Sequence, residues 1–274
     1  MDTDTAWEQW GALDPYYGVL TAPRFRTTAL DDDSREEFFD SGRRHVRHTL
    51  EALAQRVVVG FVPQRVLDFG CGVGRLVIPF AAVANEVVGM DVSPSMLAEA
   101  GRNCAARGIG NVALVLSDDS LTHAQGSFDL VHSTIVLQHI EITRGRALFA
   151  SLVDKIAPGG CGALHVTFGW DVHAANFGQP PRPPAPPSPP VPTWGSRIRA
   201  RLRHLFESTG LRRPHVVIVE PAVESRDPEM QMNYYNVSEL MFILQRAGVA
   251  RVYAEFTNHG GALGVALYFQ KNPT

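Results

Sequence analysis

The sequence predicts an α/β fold: a mostly parallel sheet, doubly wound with helices on both faces. Three observations predict it. Short apolar and β-branched runs alternate with helical patterns from residue 34 to residue 170, and strict alternation of this kind builds parallel strands joined by crossover helices. Glycines at 70, 72 and 74 stand directly after the first such run, at the carboxyl end of a strand, where open sheets of this class bind ligands. The last two apolar runs are separated only by Asn258-His259-Gly260-Gly261, which suits an antiparallel hairpin.

The elements follow in order. Residues 34–57 read as an amphipathic helix, with Ser34 as N-cap and Glu37 completing a capping box. "RVLDF" (65–69) is a buried strand, and "GRLVIPFAAVA" (74–84) a helix bent at Pro79. "EVVGMD" (86–91) is a second strand, followed by a helix over 94–107 with Ser93 as N-cap and Pro94 in its first turn. "VALVLS" (112–117) and "FDLVHST" (128–134) are the third and fourth strands, a helix over 143–156 stops at "PGG", and "GALHVTF" (162–168) is the fifth strand. The stretch 180–192, "PPRPPAPPSPPVP", can form neither ladder nor helix; it is a polyproline II or irregular surface insertion, with a ligand for a proline-binding module as the other reading. A basic helix (196–208), an apolar run (215–221), a polar loop, a helix (238–247) ending at Gly248, and the hairpin strands complete the chain.

Bulk properties bound the function. The 274 residues suit one large domain with additions, 45% of them apolar and 19% charged. The net charge of −3 and the lack of a long basic block argue against a grip on nucleic acid. Arg197 to Arg213 is arginine-rich but reads as the solvated side of a helix rather than a surface for an acidic partner. Cys71, Cys104 and Cys161 are far apart with no C-x-x-C pair, so neither a disulfide framework nor a metal cluster is expected. No apolar run is long enough for a membrane span, and the N-terminus lacks a signal-like apolar region. A protein of the reducing cytoplasm is expected.

The glycine loop carries the chemistry. A dinucleotide fingerprint needs G-x-G-x-x-G, but its third position here is Arg75, and Asp68 precedes the loop. A carboxylate there repels a pyrophosphate and attracts an ammonium group. Asp91 ends the second strand, where it can accept from both hydroxyls of a ribose. Asp118 and Asp119 follow the third strand, where a carboxylate can accept from an adenine amine. Three strand ends thus offer acceptors to an amine, a diol and an adenine with no phosphate partner, the outline of S-adenosyl-L-methionine.

"VLDFGCGVGR", "VVGMDVSPSML", "LSDDSL", "FDLVHSTIVLQHI" and "KIAPGGCGALHVTF" resemble, in order and spacing, successive motifs of the class I S-adenosylmethionine-dependent methyltransferases. The resemblance implies a Rossmann-like seven-stranded sheet with one reversed strand. It implies that Asp68 with Gly70, Cys71, Gly72, Gly74 and Arg75 faces the methionine part, and Asp91 with Val92 and Met96 the ribose. Asp118 is the preferred partner of the adenine, with Asp119 beside it and Ser117, Ser133 and Gln138 completing the cofactor set. The activity implied is methyl transfer to a small-molecule acceptor, foremost an oxygen, hydroxyl or carboxylate, of a sugar-derived or secondary metabolite. N- or C-methylation, or cofactor binding without turnover, are the alternatives.

A hydroxyl acceptor requires a base. His139 after the fourth strand and His259, followed by two glycines that allow close ligand approach, are the candidates; His165 lies within the fifth strand, and His45 and His48 are expected to face solvent or a lid. Aromatic residues of the N-terminus, Tyr16, Tyr17 and Phe25, are expected to cover the site. Met232, Tyr234 and Tyr235 are expected to line an adaptable acceptor pocket, with His165. The chain then divides into an N-terminal lid (1–58), a cofactor-binding core (59–170), a variable insertion with acceptor-pocket elements (171–236) and a closing helix and hairpin (237–274).

Overall fold

The computed structural model describes residues 2–172 and 227–273; the Pro-rich stretch, the expected basic helix at 196–208 and the apolar run at 215–221 lie outside them. Seven strands form one sheet in the order β3-β2-β1-β4-β5-β7-β6. They are β1 (Arg65–Phe69), β2 (Glu86–Asp91), β3 (Val112–Leu116), β4 (Phe128–Ser133), β5 (Ile156–Trp170), β6 (Val249–His259) and β7 (Ala262–Lys271). The first five run parallel, and β7 inserts between β5 and β6 antiparallel to both. The sheet is the expected Rossmann-like one, and its reversed strand is the second arm of the hairpin. Strand order reverses between β1 and β4, which opens a crevice at their carboxyl ends.

Alternation along each strand feeds two cores. Leu67 and Phe69 of β1 join Val131, Leu164 and Leu267 beneath α6 (Ile142–Asp154) and α7 (Val237–Arg246). Val66 turns the other way, with Leu130, Ala163 and Tyr268, to meet Val46 and Leu53 of α3 (Asp32–Arg56) and Phe80 of α4 (Val77–Ala81). A third cluster joins the N-terminal helices α1 (Thr3–Leu13) and α2 (Pro15–Val19) to α3 and to Met96 of α5 (Pro94–Ala106).

Several element limits differ from the sequence reading, each for a local reason. The cap of α3 is Asp31, whose Oδ1 accepts from the Ser34 N–H at 2.8 Å, so Ser34 lies inside the helix. The stretch after the glycine loop is helical only from Val77 to Ala81; Pro79 then falls in the first turn, where a missing N–H costs nothing. The helix before β5 ends at Asp154, and Pro158-Gly159-Gly160 lies within β5. Gly159 there has φ +77°, and the register with β4 shifts between Phe128 and Leu130, so the motif makes an irregularity in a strand rather than a helix stop. Ser93 does cap α5, accepting from the Met96 N–H at 3.0 Å.

Candidate functional site

A cavity of about 450 Å³ occupies the crevice. Its floor is the glycine loop. Gly70 and Gly72 have φ of +76° and +53°, and a Cβ on Gly70 would lie 2.2 Å from Val136, so only glycine lets the turn pass beneath that wall. Asp91 holds the loop: its Oδ2 accepts from the Gly72 N–H at 2.8 Å, and its Oδ1 from the Ser93 N–H at 3.0 Å. Burial pushes the Asp91 carboxyl up to about 6.

At the end of β1, Asp68 faces the cavity with only 2% of its surface exposed. Its Oδ1 accepts from His132 Nδ1 at 2.8 Å, while its Oδ2 is buried without a partner. Arg75 lines the same cavity; burial lowers its pKa to about 10, so it stays charged, and its Nε is likewise buried without a partner. One unsatisfied anion and one unsatisfied cation in a single cavity are what a zwitterionic amino-acid group would complete.

The opposite wall comes from the turn after β4 and from α1. His139 is buried; its Nδ1 donates to the Gln231 carbonyl at 2.7 Å. Its Nε2 therefore accepts from the Gln138 amide at 3.2 Å, and Gln138 Oε1 accepts from Thr167 Oγ1 at 2.6 Å. Burial drives the His139 pKa down to about 4, so the ring is neutral at physiological pH. Trp7 meets that ring edge-on at 4.9 Å, and the Thr3 hydroxyl donates to the His139 carbonyl at 2.7 Å. His259 reaches the cavity from the tip of the hairpin, beside Gly260 and Ala262. Met230 and Met232 add a polarizable patch.

Of the residues expected at the site, Asp68, Gly70, Cys71, Gly72, Arg75, Asp91, Val92, Met96, Ser117, Gln138, His139, Met232 and His259 line this cavity. The structure places the others elsewhere. Asp118 folds back on its own loop, accepting from the Ser120 and Thr122 N–H groups and from the Thr122 hydroxyl. Asp119 pairs with Arg144, which also grips Asp4. The Ser133 hydroxyl is spent on the Phe69 carbonyl at 3.0 Å. Gly74 turns toward Ala100 of α5. Tyr16 is buried against Phe38, its hydroxyl between Glu99 and Asn103, and Phe25 also packs on Phe38. Tyr17 lies beneath the Arg26 guanidinium, and Tyr234 sits edge-on to Trp170. His165 is a core histidine bonded to Thr257 at 2.8 Å. His48 does reach the surface, where it pairs with Glu255, but His45 turns inward to His132.

Tyr235 supports the site from behind. Its hydroxyl lies 2.8 and 2.9 Å from the carbonyls of Leu137 and Ile140, bracketing the His139 turn, and Gly145 of α6 leaves room for its ring. Tyr235→Phe should cost about 1–2 kcal/mol of stability in urea denaturation, the loss expected for buried hydrogen bonds.

Sequence reasoning passed over Trp7, Val19, Thr134, Ile135 and Val136, all on the cavity wall. The aromatic N-terminus was the only signal for α1. Ile135 has φ +58°, a strained conformation for a β-branched residue that no local motif announces.

The strand order, the glycine loop and carboxylates at neighbouring strand ends define a class I methyltransferase fold. Residues 66–160 match the model of a family described as a methyltransferase domain. The ribosomal protein L11 methyltransferase of Ralstonia pickettii is 32% identical over 140 residues, covering 51% of this chain and 43% of that protein. An uncharacterised methyltransferase of Synechocystis sp. is 32% identical over 101 residues, 37% of this chain and 46% of that one. The chain thus spans less than half the length of either relative. Among solved structures, the magnesium protoporphyrin IX methyltransferase of Synechocystis PCC 6803 with bound S-adenosylhomocysteine is similar at a TM-score of 0.57 and 18% identity, covering 99% of this chain and all (100%) of that one. The N-methyltransferase NodS of Bradyrhizobium japonicum WM9 is similar at 0.54 and 14%, over 100% of both chains. These two likenesses show the shared fold. No described helix is long and apolar enough to cross a membrane.

Proposed function

We propose that the protein transfers a methyl group from S-adenosyl-L-methionine to a small-molecule acceptor, with an acceptor oxygen as the preferred target. The observation that carries this reading is the pair of unsatisfied buried groups, Asp68 Oδ2 and Arg75 Nε, beside Asp91 in one cavity. Asp68 would hold the ammonium and Arg75 the carboxylate of the amino-acid end. Asp91 would accept from the ribose hydroxyls, and Ser117, at the end of β3, borders the adenine end. The bound cofactor supplies a methyl already activated on a sulfonium.

The chain then has to position an acceptor and take its proton. Both ring nitrogens of His139 are engaged, by Gln231 and Gln138, which suits a wall that orients the acceptor. His259 lines the cavity, and its partner among the described contacts is the His165 ring, 5.4 Å away centroid to centroid. Its nitrogens are therefore available, and desolvation lowers its pKa, keeping it a neutral base at physiological pH. Trp7, Val136 and the two methionines exclude water from the reacting groups. The segment 171–236 carries the remaining determinants of acceptor choice. Three free buried cysteines accord with a reducing cytoplasm.

The test is S-adenosylhomocysteine release on feeding fractionated metabolite extract, with product mass and fragmentation identifying the methylated atom. His259→Ala should cut turnover by about 10²–10⁴-fold, the usual worth of a general base, while leaving S-adenosylhomocysteine affinity within twofold. Undiminished turnover would remove the assignment of the base, and methylation confined to a protein fraction would remove the small-molecule acceptor.

A further inference from the structure

Asp68 does not stand alone behind the cavity. β1 and β4 run in register with Asp68 beside His132, and both side chains are 2% exposed. His132 Nδ1 lies 2.8 Å from Asp68 Oδ1. The other ring nitrogen, Nε2, lies 3.0 Å from His45 Nε2 on α3. Phe80 closes the chain edge-on, 5.2 Å from the His132 ring. Because a carboxylate only accepts, His132 must present Nδ1–H to it, whatever its charge. In its neutral form the remaining lone pair takes a proton donated by His45. Burial pushes the His45 pKa down to about 2, so this outer ring stays neutral.

This arrangement fixes the carboxylate in two respects. The bond to Oδ1 stops Asp68, a residue of the cavity lining, from rotating about its terminal torsion, and it leaves Oδ2 as the carboxylate oxygen without a partner. The outer histidine is itself held, because α3 is seated against the glycine loop. A Cβ on Gly42 would lie 2.1 Å from the Arg75 carbonyl, so no larger residue allows that approach. The chain of three side chains therefore links α3 to the anionic end of the pocket.

We propose that His132, backed by His45, is a positioning residue: the Asp68–His132–His45 chain holds Asp68 Oδ2 toward the ammonium group of the ligand's amino-acid end. The inference rests on the adenosyl-amino-acid reading of the cavity, but it concerns one part of that ligand. Two probes separate the parts: S-adenosylhomocysteine carries the amino-acid end, and 5′-methylthioadenosine lacks it.

The experiment is calorimetric titration of the full chain with both probes. His132→Leu removes the donor to Asp68 and should weaken S-adenosylhomocysteine binding tenfold or more, with 5′-methylthioadenosine binding within twofold of the wild type. His132→Asn restores a short N–H donor near the Nδ1 position and should bring S-adenosylhomocysteine affinity back to within threefold. Unchanged S-adenosylhomocysteine affinity in the leucine variant overturns the proposal. Equal loss for both probes also overturns it, because that is the mark of general damage to the fold. Should the leucine variant not fold, the asparagine variant decides: a tenfold loss confined to S-adenosylhomocysteine overturns the role of the Nδ1 donor, and near-wild-type affinity upholds it. A wild type that binds neither probe would instead remove the reading of the cavity on which the inference stands.

Discussion

Replacing Asp91 by alanine is expected to lower S-adenosylhomocysteine affinity by about 10- to 100-fold. Hydrogen bonds to a charged group contribute about 1.5–3 kcal/mol, which converts to that range. Two losses coincide in this variant. The acceptor proposed for the ribose disappears, and the Gly72 and Ser93 N–H groups lose the carboxylate that orders the loop. Asp91→Asn should fall between, because its amide oxygen still accepts while its NH₂ opposes one of the two donors. Affinity unchanged in the alanine variant would remove Asp91 from the ligand's contacts.

The same residue sets a pH dependence with opposite signs for binding and for folding. Burial raises its carboxyl to about 6 from an ordinary value of 3.8. If ribose hydroxyls donate to the ionised form, as proposed, ligand affinity should hold above pH 6 and fall by up to tenfold per unit below it. The free protein behaves in the other direction. Between pH 6 and about 4 the folded state binds a proton that the unfolded chain does not, so this group's contribution to stability rises as pH falls through 6. Titrating affinity and urea midpoint across this window separates the two, and Asp91→Ala should flatten the Asp91 component of both.

The glycine loop and the carboxylates beside it were legible in the sequence because they rest on backbone demands. Gly70 and Gly72 are needed for positive φ, and Asp68 and Asp91 each end a strand whose apolar run is unmistakable. The third strand end differs from the other two. Asp118, Ser120 and Thr122 stand close enough for the aspartate to bond its own loop, a local competitor that an argument from strand ends overlooks. His132 carried no signal at all. One histidine in a buried strand reads as core, and only the register of β1 with β4 brings it to Asp68. His45 was misplaced for a similar reason: helical periodicity gives the face of α3 that is buried, but not the histidine across from it. Tyr235 was found as a residue type and missed as a role, because the carbonyls that its hydroxyl reaches lie more than ninety positions earlier, at Leu137 and Ile140.

Phe38→Ala should destabilise the protein by about 3–5 kcal/mol, the usual range for a buried phenylalanine truncated to alanine. Phe38 is fully buried (0% exposed) and packs edge-to-face against Tyr16, Phe25 and Phe39 at 5.1, 5.4 and 5.3 Å between centroids. Each such pair adds about 0.5–1.5 kcal/mol beyond the area buried. The aromatic residues expected to cover the ligand therefore do a different job: they fasten α2 and the turn after it to α3. That anchoring in turn places Trp7 and Val19 on the cavity wall. Glu8 fastens the same segment to α5, accepting from the Ser93 and Ser95 hydroxyls at 2.6 Å each, close to the Asp91 end of β2. The N-terminal helices are by this argument part of the cooperative fold, and weakening their anchor should also weaken S-adenosylhomocysteine binding. Phe256→Ala is the matched control: Phe256 is 81% exposed, and its truncation should stay within about 0.5 kcal/mol. Urea unfolding compares the two, and a loss below about 1 kcal/mol for Phe38→Ala would make the N-terminal segment a lid that opens independently of the sheet.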